Sequence, residues 1–202
     1  MVASYKVAIY CDSLSRGGAE RVSLQLCQYF NDIGWKCDLI TYRRLKNEYD
    51  CPTDIDRIIL SENNASRRWK VINELRKTLI QNRYDILVIM DMPASIYGII
   101  ACIGLKMKVI VSERNDPTHF NGAAITRFLL KRTLKYAHGY VFQTNDAKKF
   151  WNRYIGNKGV IIHNPVDSYR LPNVYKGERK KVIVSVGRLT EQKKPKNIDK
   201  GL

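Results

Sequence analysis

The stretch Asp85-Ile86-Leu87-Val88-Ile89-Met90 decides the fold, because its core does not alternate. A strand with one wet face alternates apolar and polar side chains. An unbroken Ile-Leu-Val-Ile run needs both faces covered, the condition of a central strand in a parallel sheet. Pro93 follows closely and fits the first turn of a helix, where its missing N–H would have no partner.

Working outward, Val71, Ile72, Leu75 and Leu79 recur on one helix face before this strand. After it, Ile96 to Leu105 reads as a buried helix turning toward the next strand, Lys108 to Ser112. Upstream, Tyr5 to Cys11 predicts a first strand. Val22, Leu26, Tyr29, Phe30 and Ile33 predict a helix ended by Gly34, and Lys36 to Tyr42 a second strand. Asp56 to Leu60 is a weaker strand, followed by loop through Ser66. Downstream come a helix over Ala123 to Tyr136 and strands over Gly139 to Gln143, Val160 to His163 and Lys181 to Val186. This alternation predicts an α/β fold, a Rossmann-like parallel sheet with helices on both faces.

The chain has 202 residues, enough for one such domain and part of another. Residues 164–179 hold two prolines, a glycine and no clear period. The expected organisation is therefore residues 1–165 as the Rossmann-like domain, 166–180 as a connector, and 181–202 as the start of a second domain.

With 45% hydrophobic and 27% charged residues, the chain is neither disordered nor collagen-like. Its 35 basic and 19 acidic side chains leave +16, and the excess is lopsided. Residues 1–100 hold 14 basic and 12 acidic groups, whereas residues 101–202 hold 21 and 7. Such a field draws anionic lipid, nucleic acid or phosphorylated substrates. The apolar run Val7 to Tyr10 is too short for a signal peptide, and Ile96 to Leu105 is far short of the ~20 residues of a membrane span. Cys11, Cys27, Cys37, Cys51 and Cys102 show no C-x-x-C spacing and read as small core residues in a reducing compartment. The expected location is cytoplasmic.

Ligands of open parallel sheets bind beyond the carboxyl ends of the strands. Three loops fall there. In Ser13-Leu-Ser-Arg-Gly-Gly-Ala-Glu20, Gly17 and Gly18 open a helix and would let an anion approach free N–H groups. A tight turn with a helix start would read the same. The loop matches neither G-x-G-x-x-G nor a Walker A motif. Glu113, Arg114 and Asn115 lie in Ser112-Glu-Arg-Asn-Asp-Pro117, whose polar density suits a polar substrate, although an Asp-Pro turn with an ion pair would use similar residues. The third loop, Val186 to Lys193, pairs a turn glycine with Arg188 and Lys193, a fork and a point charge suited to a diphosphate, or else simply a solvated basic loop.

His119, His138 and His163 have no metal spacing, so no metal site is assigned. On the helix Ala123 to Tyr136, Arg127, Lys131 and Lys135 form a basic stripe beside Ile125, Phe128 and Leu129, with Arg132 inside the apolar arc. Either a lipid-facing helix or a solvated face would carry this pattern. The charge of the second half favours an anionic membrane surface.

Five segments in order resemble the family 4 glycosyltransferases of GT-B fold: Gly-Gly-Ala-Glu-Arg-Val (17–22), Val-Ser-Glu-Arg-Asn-Asp-Pro (111–117), Val-Phe-Gln-Thr (141–144), Ile-His-Asn-Pro-Val-Asp (162–167) and Val-Gly-Arg-Leu-Thr-Glu-Gln-Lys (186–193). The resemblance implies an acceptor-holding amino-terminal domain and a second domain holding a nucleotide sugar. It implies transfer with retained anomeric configuration, without a metal ion and with no cofactor beyond the donor co-substrate. It places Arg188 and Lys193 on the donor diphosphate and Gly17 and Gly18 at the cleft. Many members have His where this chain has Arg114, so a substrate-facing position carries over but not a catalytic histidine. The paired glutamates of the family's second domain are absent, which points to a fragment inactive by itself.

The expected function is hexosyl transfer to a lipid-linked or polysaccharide acceptor at the inner membrane face. A non-catalytic subunit that partners a separate donor-binding polypeptide is the alternative. Nucleic-acid binding has only the charge in its favour, with no recognition helix or stacking motif.

Overall fold

The computed structural model describes residues 4–61, 68–117, 123–164, 176–178 and 182. The chain divides into two compact units, Met1–Pro165 and Val166–Leu202. The expected loop through Ser66, the strand over Lys181 to Val186 and most of the connector lie outside the described residues.

Seven parallel strands form one sheet: β1 (Lys6–Cys11), β2 (Lys36–Arg43), β3 (Arg57–Ser61), β4 (Ile86–Ile89), β5 (Lys108–Glu113), β6 (Gly139–Phe142) and β7 (Gly159–Ile161), in the order β3-β2-β1-β4-β5-β6-β7. The Ile-Leu-Val-Ile strand is β4, in the middle. It pairs with β1 through Val7↔Ile86 to Tyr10↔Ile89 and with β5 through Ile86↔Lys108 to Ile89↔Val111.

The strand period of two divides the core. Ala8, Tyr10, Leu87 and Ile89 face one layer, with Leu75 and Leu79 of α2 (Arg68–Asn82) and with α3 (Met92–Cys102), α4 (Ala124–Thr133) and α5 (Asn145–Ile155). Val7, Ile9, Cys11 and Leu39 face the other, with Cys27 of α1 (Gly18–Asp32). Helices cover both faces, as the unbroken β4 pattern requires. Each Leu or Ile removed from water in these layers contributes about 1.5–3 kcal/mol.

Local chemistry explains how α3 seats on β4. Asp91 accepts the Ala94 N–H at 3.0 Å as the helix cap, and Pro93 lies in the first turn. Gly98 then meets the sheet where a Cβ would lie 2.5 Å from Ile89 Cδ1, so only glycine permits this approach.

Three details depart from the sequence reading. The helix expected over Ala123 to Tyr136 is α4 followed by a 3-10 turn, Leu134–Tyr136. On it, Ile125 (58% exposed), Phe128 (52%) and Arg132 face outward while Leu130, Thr133 and Leu134 are buried. The arc of Ile125, Phe128 and Arg132 is thus the outer one, because α4 packs on α3 through the residues between. The third departure is α5, which the sequence reading lacked. Thr144 caps it by accepting the Ala147 N–H at 3.2 Å, and Ala147, Trp151 and Ile155 are buried at four-residue spacing.

Four of the five cysteines are buried, Cys51 is half-buried, and all five are free thiols. No helix among the described residues is long and apolar enough to cross a membrane.

Candidate functional site

Because every strand runs the same way, all carboxyl ends reach one edge of the sheet. The order reverses between β1 and β4, the switch point at which open α/β sheets bind ligands.

The loop after β1 is held from its β2 side. Glu48 accepts the Leu14 N–H at 3.1 Å, the Leu45 N–H at 3.0 Å and both Arg57 Nη groups at 2.7 and 3.1 Å. These partners hold its carboxyl below the usual carboxylate range against the opposing effect of burial. Arg43 clamps Asp12 through Nη2 at 2.8 Å and Nε at 3.1 Å. Helix α1 then starts with Gly17 as its N-cap and no side-chain cap. Gly18 is exposed with open space where a Cβ would be, so a ligand can approach the first turn. At Gly17 the Glu20 carboxylate fills that space; it also accepts from Ser15 Oγ at 2.9 Å.

Asp91, beyond β4, went unremarked in the sequence reading, although an Asp two residues before a helix-opening Pro is a cap signal. Burial pushes its carboxyl up to about 6, and the charges of Asp12 and Glu20 add to the effect against the Ala94 hydrogen bond. Asp91 therefore electrostatically links the β1 loop to the β5 loop, whose Glu113 senses it in turn.

Glu113 is not the surface group expected of a substrate contact. It is 4% exposed. Its Oε1 accepts the N–H groups of Arg114 and Asn115, each at 3.0 Å, and its Oε2 accepts the indole N–H of Trp151 at 3.2 Å. Burial pushes it up to about 7, with Asp91 adding to the rise and the hydrogen bonds opposing it. Helix α5 is the cause: Trp151 closes over the strand end and turns Glu113 into the internal brace of its own loop.

Arg114 is half-buried, and burial draws its guanidinium down from its ordinary value. Its Nη1 donates to Asn164 Oδ1 at 2.6 Å, an oxygen that also accepts Gln143 Nε2 at 2.7 Å. His163 Nδ1 lies 2.9 Å from the Gln143 carbonyl oxygen. The Nε of Arg114 is buried with no partner among the described residues. Asn115 is exposed. Along this edge, the uncapped N–H groups of α1, the partly satisfied Arg114 guanidinium and the exposed Asn115 make a surface able to hydrogen-bond hydroxyl and phosphate oxygens, with Glu113 bracing the loop from within. Among the described residues no cluster of His, Cys, Asp and Glu is placed to hold a metal ion.

The family model of glycosyltransferase family 4 matches residues 16–170, which span the β1 loop, the β5 loop and the Asn164 corner. The chain belongs to glycosyltransferase family 4. A Campylobacter jejuni α-1,4-N-acetyl-D-galactosaminyltransferase, named for an undecaprenol-diphosphate-linked substrate, is 21% identical over 197 residues, covering 94% of this chain and 54% of the relative. Among solved structures, the lipopolysaccharide outer core galactosyltransferase WaaB superposes with a TM-score of 0.65 at 18% identity, over 80% of this chain and 46% of that one. Anabaena HepE in complex with UDP-glucose does so with a TM-score of 0.62 at 13% identity, over 81% and 44%. These likenesses show the Rossmann-like fold of GT-B glycosyltransferases. The chain spans about half the length of the relatives it matches.

In this family 4 chain the structure brings Gly17, Gly18, Glu113, Arg114 and Asn115 to one edge. Arg188 and Lys193 lie outside the described residues. Arg127, Lys131 and Lys135 are exposed on α4 and the turn after it, and Arg127 and Lys131 line a groove together with Pro117 of the β5 loop.

Proposed function

We propose that this chain forms the acceptor-side domain of an enzyme that moves a hexosyl group from a nucleotide sugar to a lipid-linked or polysaccharide acceptor. Transfer proceeds with retained anomeric configuration and without a metal ion, as the family resemblance implies. The observation that carries the reading is the convergence of an uncapped α1 start, Asp91 and the Glu113-braced loop at the switch point of a family 4 sheet. The N–H groups of Gly18 to Glu20 face anionic oxygen, and Arg114 and Asn115 grip acceptor hydroxyls. Glu113 positions that grip without touching substrate. Arg188 and Lys193 take the donor diphosphate. Chemistry of this kind rests on positioning and on preformed charge.

Two relatives support the ligand classes by name, one through an undecaprenol-diphosphate-linked substrate and one through bound UDP-glucose. The exposed Ile125 and Phe128 beside Arg127, Lys131 and Lys135 support docking on an anionic membrane, which we place at the inner, cytoplasmic face.

Amide chemical shifts test the reading. Titrating residues 1–202 with a short-chain polyprenyl-diphosphate N-acetylhexosamine is expected to move the signals of Gly17, Gly18, Arg114 and Asn115. Unmoved signals at all four would overturn it. The chain alone is expected to consume a UDP-sugar negligibly, because the donor half of the cleft is supplied by the other half of such enzymes. The second reading is a subunit that pairs with a separate donor-binding polypeptide. Co-purification of such a partner supports that version.

A further inference from the structure

Between helices α4 and α5 runs a groove of about 300 Å³ that Gly17, Gly18, Glu113, Arg114 and Asn115 do not line. One wall is Arg127, Leu130 and Lys131 of α4, the other Phe150, Trp151, Arg153 and Tyr154 of α5, and Pro117 of the β5 loop also lines it. Its volume falls at the low end of ligand pockets, enough for one headgroup and too small for an oligosaccharide.

Two cations of the groove lean on its aromatic rings. The Arg153 guanidinium lies 4.5 Å from the Phe150 ring centre and 4.9 Å from that of Tyr154, while Lys131 Nζ lies 5.3 Å from the Tyr154 centre. Sharing one aromatic ring puts the two charges within about 10 Å of each other. No carboxylate pairs with Lys131 or Arg153 among the described residues. Lys131 and Arg153, with Arg127 on the same lining, beside an apolar floor of Leu130, Phe150 and Trp151 complement a phosphate with a hydrocarbon attached to it. Ile125 and Phe128 on the outer arc of α4 are exposed, so the groove lies next to an apolar surface able to enter a bilayer.

We propose that the α4/α5 groove binds the terminal phosphate of a membrane lipid, a phosphomonoester in preference to a diester. Lys131 and Arg153 take the phosphate oxygens, and the aromatic floor takes the first carbons of the lipid. The dianionic charge of a phosphomonoester near neutral pH suits a groove lined by Arg127, Lys131 and Arg153 better than a singly charged diester does. Trp151 forms part of the floor and donates to Glu113 at 3.2 Å, so an occupied groove abuts the brace of the β5 loop. The proposal rests on the membrane-facing reading above and narrows it to one site.

The test is sedimentation of the full chain with phosphatidylcholine vesicles that contain either phosphatidic acid or, at equal mole fraction, phosphatidylglycerol. The wild type is expected to bind both and to prefer phosphatidic acid at least fivefold. Lys131→Gln with Arg153→Gln should abolish that preference. Arg132→Gln with Lys135→Gln, which removes the same charge from the same face outside the groove, should weaken both vesicles alike and keep it. No binding to either anionic vesicle would refute the membrane reading itself. Binding without preference, or an equal effect of the two double variants, would refute only the groove. In a Trp35→Phe/Trp69→Phe background, Trp151 emission reports the groove directly. Dihexanoyl phosphatidic acid should shift it saturably. Saturation by inorganic phosphate at the same concentration would show that free phosphate, not lipid, is the occupant, and would overturn the proposal.

Discussion

Replacing Glu113 by Gln tests whether the brace of the β5 loop is a buried carboxyl that ionises at a cost. In the folded chain burial pushes Glu113 up to about 7 from an ordinary value of 4.5. The folded state therefore keeps a proton that the unfolded chain has lost throughout that interval. Stability from this group is fully present below the unfolded value and is lost as pH rises through the folded one. At 1.36 kcal/mol per pH unit, the interval corresponds to about 3 kcal/mol. Gln cannot titrate. It keeps an oxygen for the Arg114 and Asn115 N–H groups but turns an NH₂ toward the Trp151 indole N–H, a loss of about 1–3 kcal/mol. Wild type is thus expected to be the more stable near pH 4, with its advantage shrinking by about 3 kcal/mol and vanishing or reversing by pH 8. Urea unfolding curves of both proteins across this range measure the difference, which reports Glu113 together with its coupling to Asp91, while subtraction removes what Glu48 contributes to each. A difference that stays constant with pH, or that grows in favour of the wild type, would show that Glu113 is not held as described.

Further perturbations probe the scaffold beneath the site. Gly98→Ala drives a methyl into Ile89, which is fully buried and has nowhere to retreat, so a loss of about 1–3 kcal/mol is expected in thermal melts despite the better helix propensity of Ala. Arg57→Ala strands the Glu48 carboxylate, whose side chain is only 8% exposed. It should cost about 3–5 kcal/mol, and faster amide exchange at Leu14 should mark the freed β1 loop. Thr144→Ala removes the α5 cap and should cost about 1 kcal/mol, read by chemical denaturation.

The strands were legible because a strand writes its environment into a period of two, and β4 had no wet face to write. Helix α5 was harder to see. Its Ala147, Phe150, Trp151, Tyr154 and Ile155 do recur at i, i+3, i+4, i+7 and i+8, but within only eleven residues and interleaved with Lys148, Lys149 and Arg153. Asp91 was overlooked for a related reason: a cap is a local signal, and nothing near it in sequence shows that Asp12, Glu20 and Glu113 would gather around it.

What the sequence by itself determined was the wound parallel sheet, the loops at its carboxyl edge and the family those loops resemble. These follow from side-chain periodicity and from short motifs, which act between residues close along the chain. Only the tertiary structure decided that Glu113 points inward, that Arg114 leans on Asn164 fifty residues away, and that Ile125 and Phe128 of α4 face solvent. Each of those outcomes depends on which distant element packs against the residue. Burial sets whether a carboxyl ionises, and burial is a property of the assembled layers rather than of the neighbouring sequence.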